Sequence, residues 1–276
     1  MNNLSDRVVL ITGSTDGIGR ETARILAERG AHVILHGRRE NRCQETVKHI
    51  HRRVPEARLD YIVLDLAEVE RIGDIGTMVG AVTDRIDVLI NNAGVGPGQH
   101  GQERDVSPDG YELRFAVNHL APFAVTHHLL PFLRVPERAR IVNVTSAAQA
   151  PLDFDDLMMS REFDPMRAYS RSKLAMVMFT IDLAAYLTDT GITANCLHPG
   201  SLLDTKMVRE TFGAARGTAE TGAVNEVYVA TSSDLEGITG EYFYEETRRR
   251  PHDQAFDETA RRRLWEVSEE LTGAHY

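Results

Sequence analysis

The chain has 276 residues, 42% hydrophobic and 26% charged, with a formal net charge of −10. This is the composition of a globular protein with a sizeable core, and its acidic balance works against a general affinity for nucleic-acid phosphates. Cys43 and Cys196, far apart, argue against a disulfide framework or a thiolate metal site and suit a reducing cytoplasm. The eleven histidines show no metal-ligand spacing, so no metal is expected. No stretch approaches the roughly 18 apolar residues that would span a bilayer. The start, MNNLSDRVVLITG, enters a strand-like run directly. The expectation is a cytoplasmic protein without a membrane span.

The first strand candidate is Arg7–Thr12, a near-continuous apolar run of the kind buried on both faces. It runs into TGSTDGIGRETARIL, with glycines spaced G-x-x-x-G-x-G before a helical pattern over Ile18–Arg29. Glycine permits a tight turn and a close approach of backbone to a pyrophosphate. The helix start adds free N–H groups and a favourable dipole. Gly13, Ser14, Thr15, Asp16, Gly17, Ile18 and Gly19 are therefore the candidate phosphate contacts.

The second strand, His32–His36, ends in VILHGRRE. An acidic residue there would bind the ribose hydroxyl of NAD, whereas an arginine accommodates the 2′-phosphate of NADP. Gly37 stands where the acid would be, and Arg38 and Arg39 follow, so NADP is expected over NAD with Arg38 as the contact. The pattern continues with a helix at Glu40–Arg53, a strand at Leu59–Leu64 closed by Asp65, and a helix at Val69–Thr83. A strand at Val88–Asn91, a helix at Gly110–Leu133 and a strand at Ala139–Thr145 come next. After them come a helix at Tyr169–Leu187 and strands at Thr193–Leu197 and Glu241–Tyr244.

This alternation implies an α/β fold: a single-domain, doubly wound parallel sheet (a Rossmann fold) over residues 1–276. About seven strands are expected, with helices on both faces. Two stretches, near 148–166 and 199–222, read as irregular. Ligands in such sheets bind outside the carboxyl ends of the strands, so both are candidate substrate loops.

YSRSK places Tyr169 and Lys173 four apart, on one face of a helix and one turn from each other. A free tyrosine has a pKa of roughly 10, and a neighbouring ammonium favours the phenolate. Lys173 is thus expected to tune Tyr169, which would give a proton to a carbonyl oxygen in reduction and take one in oxidation. Ser146, just past a buried strand, can hydrogen-bond the same substrate oxygen.

TGSTDGIG (12–19), NNAG (91–94), VNVTS (142–146) and YSRSK (169–173) occur in this order, with FAVNHLAPF (115–123) and HPG (198–200) among them. The set resembles the short-chain dehydrogenase/reductase family over about residues 6 to 272. DFDDL (153–157), RRRLWEVSEELTG (261–273) and the long Ser146–Tyr169 gap resemble its retinol dehydrogenase-like and protochlorophyllide reductase-like members.

The resemblance implies that Lys173 also binds the nicotinamide ribose and that Asn118 holds a water linking Lys173 to solvent. It implies that Asn91, Asn92, Ala93 and Gly94 bracket the adenine ribose and the sheet end. Asp65, with Leu66 beside it, is either an adenine contact or a plain helix cap. Pro199 and Gly200 would shape the nicotinamide pocket. An extra residue before Thr205 leaves open whether that threonine reaches the cofactor.

The implied function is NADP-dependent hydride transfer to or from the carbonyl or alcohol of an apolar small molecule. The 201–215 stretch, with Leu202, Leu203, Met207, Val208 and Phe212, would form an apolar lid. The alternatives are a regulator that binds NADP without turnover and an epimerase or dehydratase of nucleotide sugars. A homodimer or homotetramer would form through the helices at 110–133 and 166–187.

Overall fold

In the computed structural model, which describes residues 3–276, the first apolar run becomes β1 (Val8–Ile11). Its side chains alternate between two cores: Val8 and Leu10 enter one, Val9 and Ile11 the other. A strand buried on both faces cannot alternate apolar with polar, which is why the run is continuous. The chain continues through α1 (Gly17–Glu28), β2 (His32–Gly37), α2 (Glu40–His51), β3 (Leu59–Val63), α3 (Asp74–Gly80) and β4 (Val88–Asn91). Then come α4 (Leu113–Phe115), α5 (Ala121–Leu133), β5 (Ala139–Val144), α6 (Pro165–Tyr186) and β6 (Ile192–His198). The last elements are α7 (Lys206–Phe212), α8 (Ala219–Thr231), β7 (Tyr242–Tyr244), β8 (Thr247–Arg248) and α9 (Glu258–Thr272).

The strands form one sheet in the order β3-β2-β1-β4-β5-β6-β7-β8. All pairs are parallel except β7 with β8. This is the doubly wound α/β arrangement, with its switch point between β1 and β4. Eight strands stand against the seven expected. The extra one is a two-residue return after Glu245 turns the chain at φ 56°, too short to leave a periodic signal.

Three segments depart from the expected elements. The helix at 69–83 is split into a 3₁₀ turn at Val69–Arg71 and α3, where Gly73 and Gly76 lie against His128 and Gly80 against Phe132. Those glycines let α3 approach α5 closely. The helix at 110–133 starts only at Leu113, because Glu112 caps it by accepting from the Phe115 N–H, and it widens into a π turn over Ala116–Leu120. The 199–222 stretch holds α7 and the start of α8. Thr205 and Thr218 cap them with hydroxyls that accept from Val208 and Thr221 N–H groups, a start signal that threonine commonly supplies.

α9 packs across α5 and α6. The Phe123 ring meets Phe179, Trp265 and Tyr276 at centroid distances of 5.1, 5.3 and 4.9 Å, and the Tyr276 hydroxyl donates to the Phe123 carbonyl at 2.7 Å. The helices expected to meet a second copy are thus covered in part by the chain's own last helix. Among the described residues no helix is long and apolar enough to cross a membrane.

Candidate active site

The glycine loop is pinned from two sides. Asn92 donates through Nδ2 to the carbonyls of Thr12 (2.8 Å) and Gly13 (3.1 Å), and the Thr12 hydroxyl accepts from Ala93 N–H at 3.0 Å. From β2, His36 Nδ1 accepts the Gly13 N–H at 3.1 Å, so Nε2 carries the proton and donates to Leu64 at 3.0 Å. Ser14 is buried and its hydroxyl accepts from His36 N–H at 2.9 Å.

The loop tolerates no side chain on its inner face. A Cβ on Gly13 would lie 2.8 Å from the Ala93 backbone, and one on Gly19 would lie 2.3 Å from Asn92 Nδ2. Gly13 and Gly17 also hold φ of 65° and 53°, which other residues adopt only with strain. α1 carries no acidic side chain in its first turn, and its leading N–H groups have no carbonyl behind them. The seat therefore fits a pyrophosphate. The Asp16 carboxylate is already engaged: it accepts from Gly17 N–H at 2.8 Å and lies 3.6 Å from Arg42.

Other expected cofactor contacts fall as follows. Arg38 and Arg39 are exposed just past β2. Asp65 closes a turn by accepting from Ala67 N–H at 3.0 Å, so it is not a helix cap, and Leu66 points into the core. Leu66 could meet a nucleotide only through its backbone. Thr15 and Ile18 flank the loop, Thr15 against Gly37 and Ile18 against Gly222. The Pro199 carbonyl accepts from Asn225 at 2.8 Å, and Gly200, at φ 133°, is covered by Leu203. The extra residue before Thr205 is absorbed by Leu202, which turns at φ 53°. Thr205 ends beside the phosphate seat, its methyl 3.3 Å from where a Cβ on Gly17 would stand.

The second half of the site lies at the end of β5 and on the first turns of α6. Asp164 caps α6 and Pro165 opens it, as suits proline's fixed φ. Lys173 is buried, and its Nζ donates to the Val144 carbonyl at 2.9 Å and sits 5.8 Å from the Tyr169 ring centre. Asn118, in the π turn, accepts from Val95 N–H (2.7 Å) and donates to the Val95 carbonyl (3.0 Å) and to Ser172 Oγ (2.9 Å). Gly94 joins these groups: a Cβ there would lie 3.2 Å from Asn118 Oδ1 and 3.4 Å from Lys173 Nζ. π turns recur at functional sites.

The electrostatics differ from the expectation in one respect. Burial pushes Tyr169 above its ordinary value, and the Ser146 hydroxyl opposes the rise. The Lys173 ammonium is turned to Val144 instead of setting the phenol. Burial lowers Lys173 to about 8, with buried Glu226 opposing. Tyr169 therefore keeps its proton at neutral pH, the form needed to donate one.

Burial also drives His36, His119 and His198 down, to about 4, 3 and 4 respectively. Folded, they are neutral; unfolded, they take up a proton near 6.5. Stability should fall as the pH drops from 6.5 toward 4, by up to about 1.4 kcal/mol per pH unit for each histidine. Urea midpoints at pH 7 and pH 5 check this. His119 Nδ1 has no partner among the described residues, so His119→Leu should flatten the slope by about one proton; an unchanged slope would remove His119 from the explanation.

Several positioning residues carry no signal of their role in the sequence, Ser172 inside YSRSK among them. Ser172 donates to the Tyr169 carbonyl at 2.7 Å while accepting from Asn118. Gln149 donates to the Ser146 carbonyl at 3.0 Å, and Gln254 pairs with both the N–H and the carbonyl of Leu152, latching the 148–166 loop. His36 had a faint signal as a polar residue ending an apolar run. A cavity of about 860 Å³ at the opposite end of the strands, lined by Arg7, Asp87, Arg140 and Gly191 among others, contains none of this chemistry.

The family model for short chain dehydrogenases matches residues 7–215. Human (Homo sapiens) retinol dehydrogenase 13 is 34% identical over 285 residues, covering 97% of this chain and 85% of that protein. Human polyprenol dehydrogenase is 34% identical over 287 residues, covering 97% and 86%. Among solved structures, an uncharacterised protein of Mycobacterium paratuberculosis superposes with a TM-score of 0.81 at 28% identity, covering 100% of this chain and 97% of that one. A short chain dehydrogenase of Shigella flexneri, solved with NADP, gives 0.74 at 26% identity, covering 89% and 99%.

Proposed function

The chain belongs to the short-chain dehydrogenase family, as an oxidoreductase acting on CH–OH groups with a nicotinamide cofactor, and from that premise we propose that its cofactor is NADP and its substrate an apolar alcohol or carbonyl compound. The observation that carries the reading is the meeting of Lys173 and Asn118 beside Gly94, with the Tyr169 ring 5.8 Å from the Lys173 ammonium and its hydroxyl against Ser146.

When bound, the nicotinamide gives or takes the hydride. Gly13 to Gly19 would hold the phosphates, with Thr205 packed beside Gly17, and Ala93 and Gly94 would flank the ribose. Ser146 holds the substrate oxygen, and Tyr169 gives it a proton in reduction. Lys173, whose ammonium donates to the Val144 carbonyl, would bind the nicotinamide ribose when the cofactor is present, and Asn118, fixed at both of its amide atoms, keeps the turn behind Lys173 in place.

NADP over NAD is supported at the end of β2. A Cβ on Gly37 would stand 2.5 Å from the Thr15 methyl and 3.0 Å from Cys43 Sγ, leaving no room for an acid, while Arg38 is free to meet a phosphate. The apolar substrate is supported by the apolar side chains of the 201–215 stretch, of which Met207 packs on Gly96 beside the site, and by relatives named for retinol and polyprenol, both apolar alcohols. The buried free thiols suit a cytoplasmic setting. The 1–276 stretch works as a single domain in this reading.

Fluorescence titration with NADPH and NADH, followed by turnover of an aldehyde and ketone panel, tests the proposal. NADPH should bind more tightly than NADH, and Arg38→Asp should reduce that preference about tenfold or more, the scale of one charge-assisted contact. An unchanged ratio would remove Arg38 from the 2′-phosphate site.

A further inference from the structure

Glu112 and Arg114 form an ion pair with each residue only 1% exposed. Arg114 Nη1 donates to Glu112 Oε1 at 2.9 Å. Nε donates to the carbonyls of Gly96 and Pro97 at 3.1 and 3.2 Å, and Nη2 to Pro97 at 2.6 Å. The guanidinium also lies 5.4 Å from the centre of the Phe163 ring. A buried ion pair is weak support for stability, since apolar residues of similar volume often do as well. Here the pair does something apolar residues cannot: a planar fork reaches two successive carbonyls, a carboxylate and an aromatic face together.

The segments held this way surround the site. Residues 94–98 run from Gly94, beside Lys173 and Asn118, to Gly96, where a Cβ would stand 2.4 Å from Met207 of the lid. Asn118 grips Val95 at one end and Arg114 grips Gly96 and Pro97 at the other. Glu112 also caps α4, whose next turn carries Asn118. Phe163 brings in the 148–166 loop.

We propose that Arg114 is a positioning residue that fixes the 94–98 wall, on which Met207 of the lid packs, and holds Phe163 beside it, and so sets the substrate end of the cleft without bearing on NADP. This rests on the oxidoreductase reading above for the identity of the cleft. The wall it fixes is backbone, thioether and aromatic ring, a surface suited to an apolar chain next to the reacting carbonyl.

The test compares wild type with Arg114→Lys, which keeps the charge but loses the fork, and with Arg114→Met/Glu112→Gln, which leaves no bare buried carboxylate. NADPH Kd, steady-state kinetics with decanal, and amide deuterium exchange are measured on the full chain. Both variants should raise the decanal KM about tenfold, with kcat changed less than about threefold and NADPH Kd within about twofold. Exchange at 94–98 and 160–164 should quicken about tenfold while α1 stays as in wild type.

Unchanged KM with unchanged exchange at 94–98 overturns the proposal. So does a parallel loss in NADPH binding, kcat and exchange protection everywhere, which marks a merely structural role. Wild type that binds NADPH but does not reduce decanal counts against the substrate reading alone; the exchange pattern then decides Arg114 by itself.

Discussion

Tyr169→Phe should lower turnover by about 10²–10⁴-fold, the usual share of a positioned general acid or base, while NADPH affinity stays within about twofold. The substitution removes one oxygen and keeps the ring, which lies among groups that hold their places by other bonds. Lys173 is anchored to Val144 and Asn118 to Val95 and Ser172, so neither depends on the phenol. The phenol is protonated at neutral pH because burial raises it and Ser146 only partly offsets this. The loss should therefore appear in kcat for carbonyl reduction and be little rescued by raising the pH to 8. Single-turnover absorbance at the reduced-nicotinamide band reads it directly. A variant with near wild-type kcat would mean that another donor protonates the substrate oxygen.

Gly19→Ala should weaken NADPH binding by about 10²-fold. The added methyl would stand 2.3 Å from Asn92 Nδ2, a side-chain end pinned by two hydrogen bonds, and 2.7 Å from the Gly13 carbonyl, which is backbone. Asn92 must move, and its two bonds to Thr12 and Gly13 go with it. Two hydrogen bonds at about 1–1.5 kcal/mol each give an effect of that size. Gly213→Ala is the matched control: Gly213 ends α7 with nothing within 4 Å of its missing Cβ, so it should lose a little stability and almost no affinity. Equal affinities for Gly19→Ala and wild type would mean that the loop relaxes without its pins.

The fold was legible where one residue class repeats. Most of the parallel strands are near-continuous apolar runs, and their ends in the sequence pattern agree with the structure within a residue or two. α7 (Lys206–Phe212) is not legible because it buries no side chain and so leaves no apolar stripe; α8 (Ala219–Thr231) does bury one face and was open to a periodicity reading. Their capping threonines were the available clue. The site was legible in its motifs and opaque in what holds them. Tyr169, Lys173 and Ser146 stand out by spacing, whereas Ser172, Gln149 and Arg114 act through contacts with Asn118, His252 and Pro97, 17 to 103 residues away in the chain. The pKa of Tyr169 is not legible for the same reason: spacing shows Lys173 nearby, but not that its ammonium faces a backbone carbonyl or that burial raises the phenol.

The switch point of the sheet has a bearing on how the chain acquires its shape. β1 pairs with β4, and Asn92 reaches across that seam to Thr12, 80 residues earlier. Long loops of this kind close late, because their entropy is lost before their contacts form. The nucleotide seat straddles the seam, so it does not exist until both halves of the sheet have met. A nucleotide binding there holds only the completed sheet, and it should slow global opening in proportion to its occupancy. In a cell, cofactor supply would then act on the lifetime of this chain as well as on its chemistry.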